Sequence, residues 1–206
     1  LGCGIQTGAG AVLNALKPEG GSSIAIFGAG SVGLAAIMAA RVAGCASIIA
    51  VDLNPSRLEL ALELGATLAI NAADGNVVEA IQAATGGEGV QYSLECTGVP
   101  AVVRQAVDCL RLTGTCGIMG VAPLGTEITL DMNGVMFGRT VRGIIEGDSV
   151  PDIFIPRLIE LWRQGRFPFD KLVRYFPLAD IDEAAHLSEK GEVLKAILLP
   201  NGSTAG

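Results

Sequence analysis

Short apolar runs rich in Ile and Val alternate with longer stretches in which apolar residues recur every three or four positions, from residue 23 to about residue 147. The first kind of pattern predicts buried strands and the second predicts one-sided helices. "SIAIFG" (23–28) is the first expected strand, with a helix over 31–43 after it. "SIIAVD" (47–52) is the second, and "PSRLELALELG" the next helix, with Pro55 in its first turn and Gly65 just past its end. "TLAIN" predicts a short third strand before a helix over 76–84, and "VQYSLECTG", "GTCGIMGV" and "TVRGIIEG" predict three more strands. The fold class is therefore α/β, a doubly wound parallel sheet of six strands in two βαβαβ halves. Its ligand should lie outside the carboxyl ends of the strands, near the point where strand order reverses.

After Gly147 the alternation stops. "SVPDIFIPRLIELWRQG" predicts an amphipathic helix ended by Gly165, "LVRYFPL" and "LKAILLP" predict strands, and "ADIDEAAHLSEKG" predicts a short helix between them. The expected division is 1–147 for the sheet domain with its N-terminal segment and 148–206 for a tail that packs elsewhere. The final "NGSTAG" is expected to fray.

The 206 residues carry a net charge of −7, and their 14 Lys and Arg are scattered, which argues against a nucleic-acid partner held by a basic surface. The apolar run "GLAAIMAARVAG" is broken by Arg41 and is too short for a bilayer, so no membrane partner is expected. Five cysteines (Cys3, Cys45, Cys96, Cys109, Cys116) form no CxxC pair, and an odd number makes a poor disulfide framework. A reducing, cytoplasmic setting is the expectation. A chain that opens on "LGCGIQTGAG" is already inside a motif, and we expect a fragment of a longer protein. Cys3 could bind a metal, attack a substrate, pair with another thiol or fill a small space; residue type by itself favours the last.

The strongest chemical signal is "FGAGSVG", which places Gly28, Gly30 and Gly33 at GxGxxG spacing between an expected strand and an expected helix. Asp52 follows 19 residues after Gly33 at the end of the next strand. That is the context of a Rossmann dinucleotide site. Gly28 allows the turn, Gly30 leaves room for a pyrophosphate, and Gly33 lets the helix lie close to the sheet. The helix beginning at Ser31 offers unpaired N–H groups to phosphate. Asp52 would accept from the adenosine ribose hydroxyls and repel a 2′-phosphate, so NAD is expected over NADP; Arg57 could reach the same ribose. The competing readings are a glycine turn that only packs, with Asp52 capping the next helix, and an S-adenosylmethionine site, against which the six strands weigh.

A hydride-transfer enzyme must polarise the substrate oxygen. The Tyr-then-Lys pair of short-chain dehydrogenases is absent, since Tyr92 is followed four residues later by Cys96 and Tyr175 by Ala179. His186, on the tail helix, is expected at the surface. "GCGIQTGAGAVLN", "FGAGSVGL", "VDLNPSRLELALELGA", "ECTG", "GVAPLG" and "GDSVPDIFIPRLIELWRQGRFPFDKL" together resemble the medium-chain, zinc-dependent alcohol dehydrogenases, with the last stretch most similar to aryl-alcohol (benzyl-alcohol) dehydrogenases.

The resemblance implies that Cys3 is one ligand of a catalytic zinc whose others precede this segment, so that the chain by itself neither holds zinc nor turns over. It implies that Thr7 contacts the nicotinamide region, Val32 lies beside the ring, Arg57 sits near the adenosine ribose, and Thr97 and Gly98 line the cleft. Met119, Gly120 and Val121 would hold the nicotinamide edge, Lys195 would approach the pyrophosphate, and Ile144, Ile145 and Glu146 would touch substrate. Without the resemblance, Val32 and Met119 are equally well read as core, and so are Cys45, Cys96, Cys109 and Cys116, placed within helices or strands. The implied protein oxidises a small alcohol to an aldehyde with NAD, and "MNGVMFGRTVRG" would pair two copies edge to edge. Rival readings are a polyol dehydrogenase or zinc-free quinone reductase of the same superfamily, or a non-catalytic NAD(H)-sensing module.

Overall fold

β1 (Ser23–Phe27) lies inside a parallel sheet between β2 (Ser47–Asp52) and β4 (Val90–Glu95), in a computed structural model that describes residues 1–200. With β3 (Leu68–Asn71), β5 (Leu110–Ile118) and β6 (Thr140–Gly143) the six strands run in the order β3-β2-β1-β4-β5-β6. This is the doubly wound sheet expected from the chain pattern. The order reverses between β1 and β4, where Phe27 stands in register with Val51 on one side and Glu95 on the other. A crevice must open at that end, because the connections leaving β1 and β4 diverge to opposite sides.

The inner strands are apolar on both faces because helices cover both. Ala25, Phe27, Ile49 and Val51 face one layer with Val77, Ile81, Ala106 and Val107. Ile24, Ile26 and Ile48 are equally buried, and Ile26 points toward the helix that follows β1. That helix, α2 (Ser31–Ala43), ends at Gly44 in a left-handed conformation with φ 83°. The helices α3 (Pro55–Leu64) and α4 (Val77–Ala84) start at asparagine caps, Asn54 accepting from Ser56 N–H and Asn76 from Val78 and Glu79 N–H. α5 (Pro100–Asp108) and α7 (Pro151–Arg163) start with proline, whose missing N–H costs nothing in a first turn. The short α6 (Met132–Met136) precedes β6.

The N-terminal segment, for which the chain pattern predicts no element, is helical. Cys3–Gly10 forms a helix, α1, continued by a π-helical stretch Ala11–Leu16. Three glycines in eight residues make this a poor helix by propensity, but they let it lie directly on α2. A Cβ on Gly8 would stand 1.9 Å from the Val32 carbonyl oxygen. Tertiary packing outweighs the propensity here.

Two compact units emerge, Leu1–Phe167 and a second from Pro168 onward. The chain pattern places that boundary after Gly147. The difference is α7, which breaks the βαβ alternation yet packs on α1 in the first unit, burying Phe154 and Leu158. The second unit holds β7 (Val173–Pro177), α8 (Ile181–Glu189) and β8 (Lys195–Leu199) around Phe176, Ala184 and Val193. The "NGSTAG" end lies outside the described residues. No helix of the described residues is long and apolar enough to cross a membrane.

The placement of the four later cysteines needs correction. Cys116 is in β5, but Cys45, Cys96 and Cys109 sit just beyond α2, β4 and α5, and only Cys109 and Cys116 are fully buried. Burial pushes the Cys116 thiol up from 9.0 to about 11, with a hydrogen bond to Ser93 opposing and the Glu95 charge adding to the rise. Burial also raises Cys109, most strongly of its causes. An unfolded chain loses these protons near pH 9 while the folded one keeps them, so stability present below pH 9 is lost as pH climbs toward 11. Melting temperatures recorded from pH 8 to pH 11 should fall, and Cys116→Ala should flatten the decline; an unchanged slope in that variant refutes the assignment.

Candidate functional site: a cofactor cleft and the Cys3 contact

The cleft is built where β1 gives way to α2. Gly28 adopts φ 94°, open to glycine at little cost, and its N–H donates to the Val51 carbonyl at 2.8 Å. A Cβ on Gly33 would lie 1.8 Å from the Gly28 carbonyl oxygen, so helix and strand approach as only glycine permits. A Cβ on Gly30 would meet nothing within 4 Å. Space is kept beside Gly30 that the fold itself does not use. The first intrahelical bond of α2 is Leu34 N–H to the Gly30 carbonyl, and no side chain caps the helix. The N–H groups of Ser31, Val32 and Gly33 therefore have no acceptor among the described residues, and together with the helix dipole they suit an anion.

Asp52 ends β2 on the rim of this cleft. Its Oδ2 accepts from Ala29 N–H at 2.6 Å and its Oδ1 from Asn54 N–H at 2.8 Å. The carboxylate thus braces the glycine turn and the lead into α3 while keeping lone pairs for a ligand hydroxyl. Arg57 stands on the first turn of α3, partly buried. Beside Asp52 runs a cleft of about 280 Å³ whose lining includes Gly28, Asp52, Thr97, Leu53, Val99 and Val102. Its apolar walls suit the flat face of a purine. Those walls went unnoticed in the sequence because single Leu, Val and Ala residues in loops carry no motif.

Glu95 was also missed, although it opens the quoted "ECTG". It is completely buried. Its Oε1 accepts from Thr97 N–H at 2.6 Å and Gly98 N–H at 3.0 Å, and from the Thr97 hydroxyl. Its backbone carbonyl accepts from Met119 N–H at 2.9 Å and Gly120 N–H at 3.1 Å. One residue thereby ties the β4 and β5 exits together, and a Cβ on Gly120 would stand 2.0 Å from Gly98 N. Thr97, Gly98, Met119 and Gly120 are brought together; Val121 follows them with its side chain 92% exposed.

Thr7 lies on α1, whose Gly8 touches Val32, so α1 borders the N-terminus of α2. The Thr7 hydroxyl donates to the Cys3 carbonyl at 2.9 Å and lies 3.4 Å from a Glu146 oxygen. Cys3 is exposed, its Sγ 3.5 Å from Glu146 Oε1. Gln6 Nε2 donates to Glu146 Oε2 at 3.0 Å. No group of three or more His, Cys, Asp or Glu able to hold a metal exists among the described residues. Lys195 begins β8 of the second unit. His186 is exposed on α8.

The family model described as "Zinc-binding dehydrogenase" matches residues 31–162. The chain belongs to this family. A geraniol dehydrogenase from Castellaniella defragrans is 45% identical over 97% of this chain and 54% of its own length. Among solved structures, an alcohol dehydrogenase zinc-binding domain protein from Burkholderia ambifaria superposes with a TM-score of 0.93 at 58% identity, over 95% of this chain and 53% of that one. The benzyl alcohol dehydrogenase of Acinetobacter calcoaceticus gives 0.93 at 47% identity, over 95% and 54%. The chain spans about half the length of the relatives it matches. The chain corresponds to the cofactor-binding half of a zinc-binding dehydrogenase.

Proposed function

We propose that the protein oxidises an aryl, benzylic alcohol to its aldehyde with NAD, and that this chain holds the NAD and one zinc ligand. The observation that carries the reading is the unused space at Gly30 beside three free amides, with Asp52 at its rim. When bound, zinc supplies a Lewis acid and NAD a hydride acceptor. The residues of this chain do the holding. Ser31, Val32 and Gly33 N–H face the pyrophosphate, Asp52 the ribose, and Leu53, Val99 and Val102 the adenine, while Arg57 flanks the ribose. Thr7, Val32, Met119, Gly120 and Val121 border the nicotinamide, and Cys3 binds the metal. Similarity to a benzyl alcohol dehydrogenase supports the aryl substrate.

A homodimer through β6 is also proposed. β6 ends the sheet, bonded only to β5, and the segment before it exposes Leu124, Met132 and Phe137. The cytoplasm is the proposed setting.

Titration of the chain with NADH and NADPH, followed by nucleotide fluorescence, tests the cofactor. NADH should bind at least ~10-fold tighter, and Asp52→Ser should narrow or invert that ratio, since one displaced charge contact is worth about 1.4 kcal/mol. Equal binding of both nucleotides by the unaltered chain would sink the NAD assignment. Benzyl alcohol and geraniol compared as substrates of the intact protein decide the substrate class.

A further inference from the structure

The cleft beside Asp52 contains a polar side chain that neither the fold nor the reading above employs. Val99 caps α5, and Val102 and Gln105 follow at intervals of three, which sets them in a row along one face of that helix. All three line the cleft. Among the described residues that line it, the polar side chains are Asp52, Thr97 and Gln105, and the walls are otherwise apolar, Val51, Leu53 and Ala72 included. Two of the three polar groups are already engaged. Asp52 can only accept, and both its oxygens hold backbone N–H groups. The Thr97 hydroxyl donates to Glu95 and accepts from Val99 N–H at 3.1 Å. The Gln105 amide is half-buried at the wall of the cleft and has no hydrogen-bond partner among the described residues. A ligand that displaces water from such a group loses affinity unless it replaces the hydrogen bonds, so the occupant of this cleft must suit an amide.

A primary amide offers an acceptor oxygen and a donor nitrogen side by side. Adenine presents the complement along one edge, its N6 amino group donating next to N7, which accepts; glutamine is a standard partner for that pair. Hypoxanthine and guanine carry O6 in place of the amino group, so the same edge offers two acceptors. An amide satisfies one of them in either orientation and sets its oxygen against the other.

We propose that Gln105 reads the adenine base of the bound dinucleotide, its Oε1 accepting from the N6 amino group and its Nε2 donating to N7. This rests on the reading of the cleft as an NAD site, and the test separates the two. The intact protein is titrated with NADH and with reduced nicotinamide hypoxanthine dinucleotide, the analogue with a deaminated base, and binding is followed by nucleotide fluorescence. NADH should bind ~10-fold or more tighter, the discrimination expected of one bidentate pair. Gln105→Met keeps the length of the side chain without the amide and should bring the two affinities together. Gln105→Lys offers only donors, which suit O6 and N7, and should favour the hypoxanthine analogue. A variant that merely disturbs the helix weakens both ligands alike, so the ratio of affinities reports recognition rather than folding. The preference for NADH over NADPH should be unchanged in Gln105→Met, because the ribose is held elsewhere, at Asp52. Equal binding of the two dinucleotides by the unaltered protein, or a full preference for NADH surviving in either variant, overturns the proposal and leaves the NAD reading standing. Failure of the unaltered protein to bind either dinucleotide overturns both.

Discussion

Gly33→Val is expected to abolish measurable NADH binding and to lower stability by about 3 kcal/mol, the upper end of ordinary overpacking. The reason is local and severe. A first side-chain carbon at this position meets the Gly28 carbonyl oxygen at 1.8 Å and the Gly28 carbonyl carbon at 3.0 Å, both backbone atoms that cannot turn aside. The Ile26 side chain closes the remaining direction at 3.4 Å. Helix α2 must lift from β1, and its three free amides move with it. Urea unfolding measures the stability, and nucleotide fluorescence the binding. Gly30→Ala is the informative contrast, because its Cβ meets nothing within 4 Å. It should cost no more than ~1 kcal/mol of stability, the usual loss at a helix cap, while NADH affinity drops sharply. An alanine variant that binds NADH as tightly as the original chain would mean that the space beside Gly30 is not where the pyrophosphate lies.

Glu95→Ala should be the most damaging change that leaves the glycine turn untouched. The carboxylate is fully buried and receives two backbone N–H groups and a hydroxyl within the span of Thr97 and Gly98. Truncation strands the two amides away from water and opens a cavity, and each stranded donor costs about 1–3 kcal/mol. A total near 3 kcal/mol corresponds to a melting temperature roughly 10 °C lower for a chain of this size. Binding should weaken as well, since Thr97 lines the cleft. Glu95→Gln keeps an acceptor but turns an NH2 toward donors, so an intermediate loss is expected. A melt of the alanine variant within ~2 °C of the original would show that the turn is held by something other than this carboxylate.

Most of the cofactor loop was legible because its chemistry is contiguous. Gly28, Gly30 and Gly33 occupy six residues, and their backbone demands are set by neighbours in sequence. Asp52 was found by its distance from them, although its double role, bracing Ala29 and Asn54 N–H as well as facing the cleft, needed coordinates. Cys3 and Thr7 were singled out by resemblance, while the helix carrying them was not expected. Its glycines are unfavourable locally and useful only against Val32.

The amino-acid order alone determined the six-stranded sheet, its helices and the phosphate turn, because strand and helix periods and a glycine spacing are short-range properties that local backbone energetics enforce. Only the tertiary structure decided the membership of α7, the apolar cleft walls, the burial of Glu95 and the meeting of Cys3 with Glu146. Each of those depends on burial between residues distant in the chain, where the free energy comes from surface removed from water and amides satisfied, and no local pattern encodes the partner.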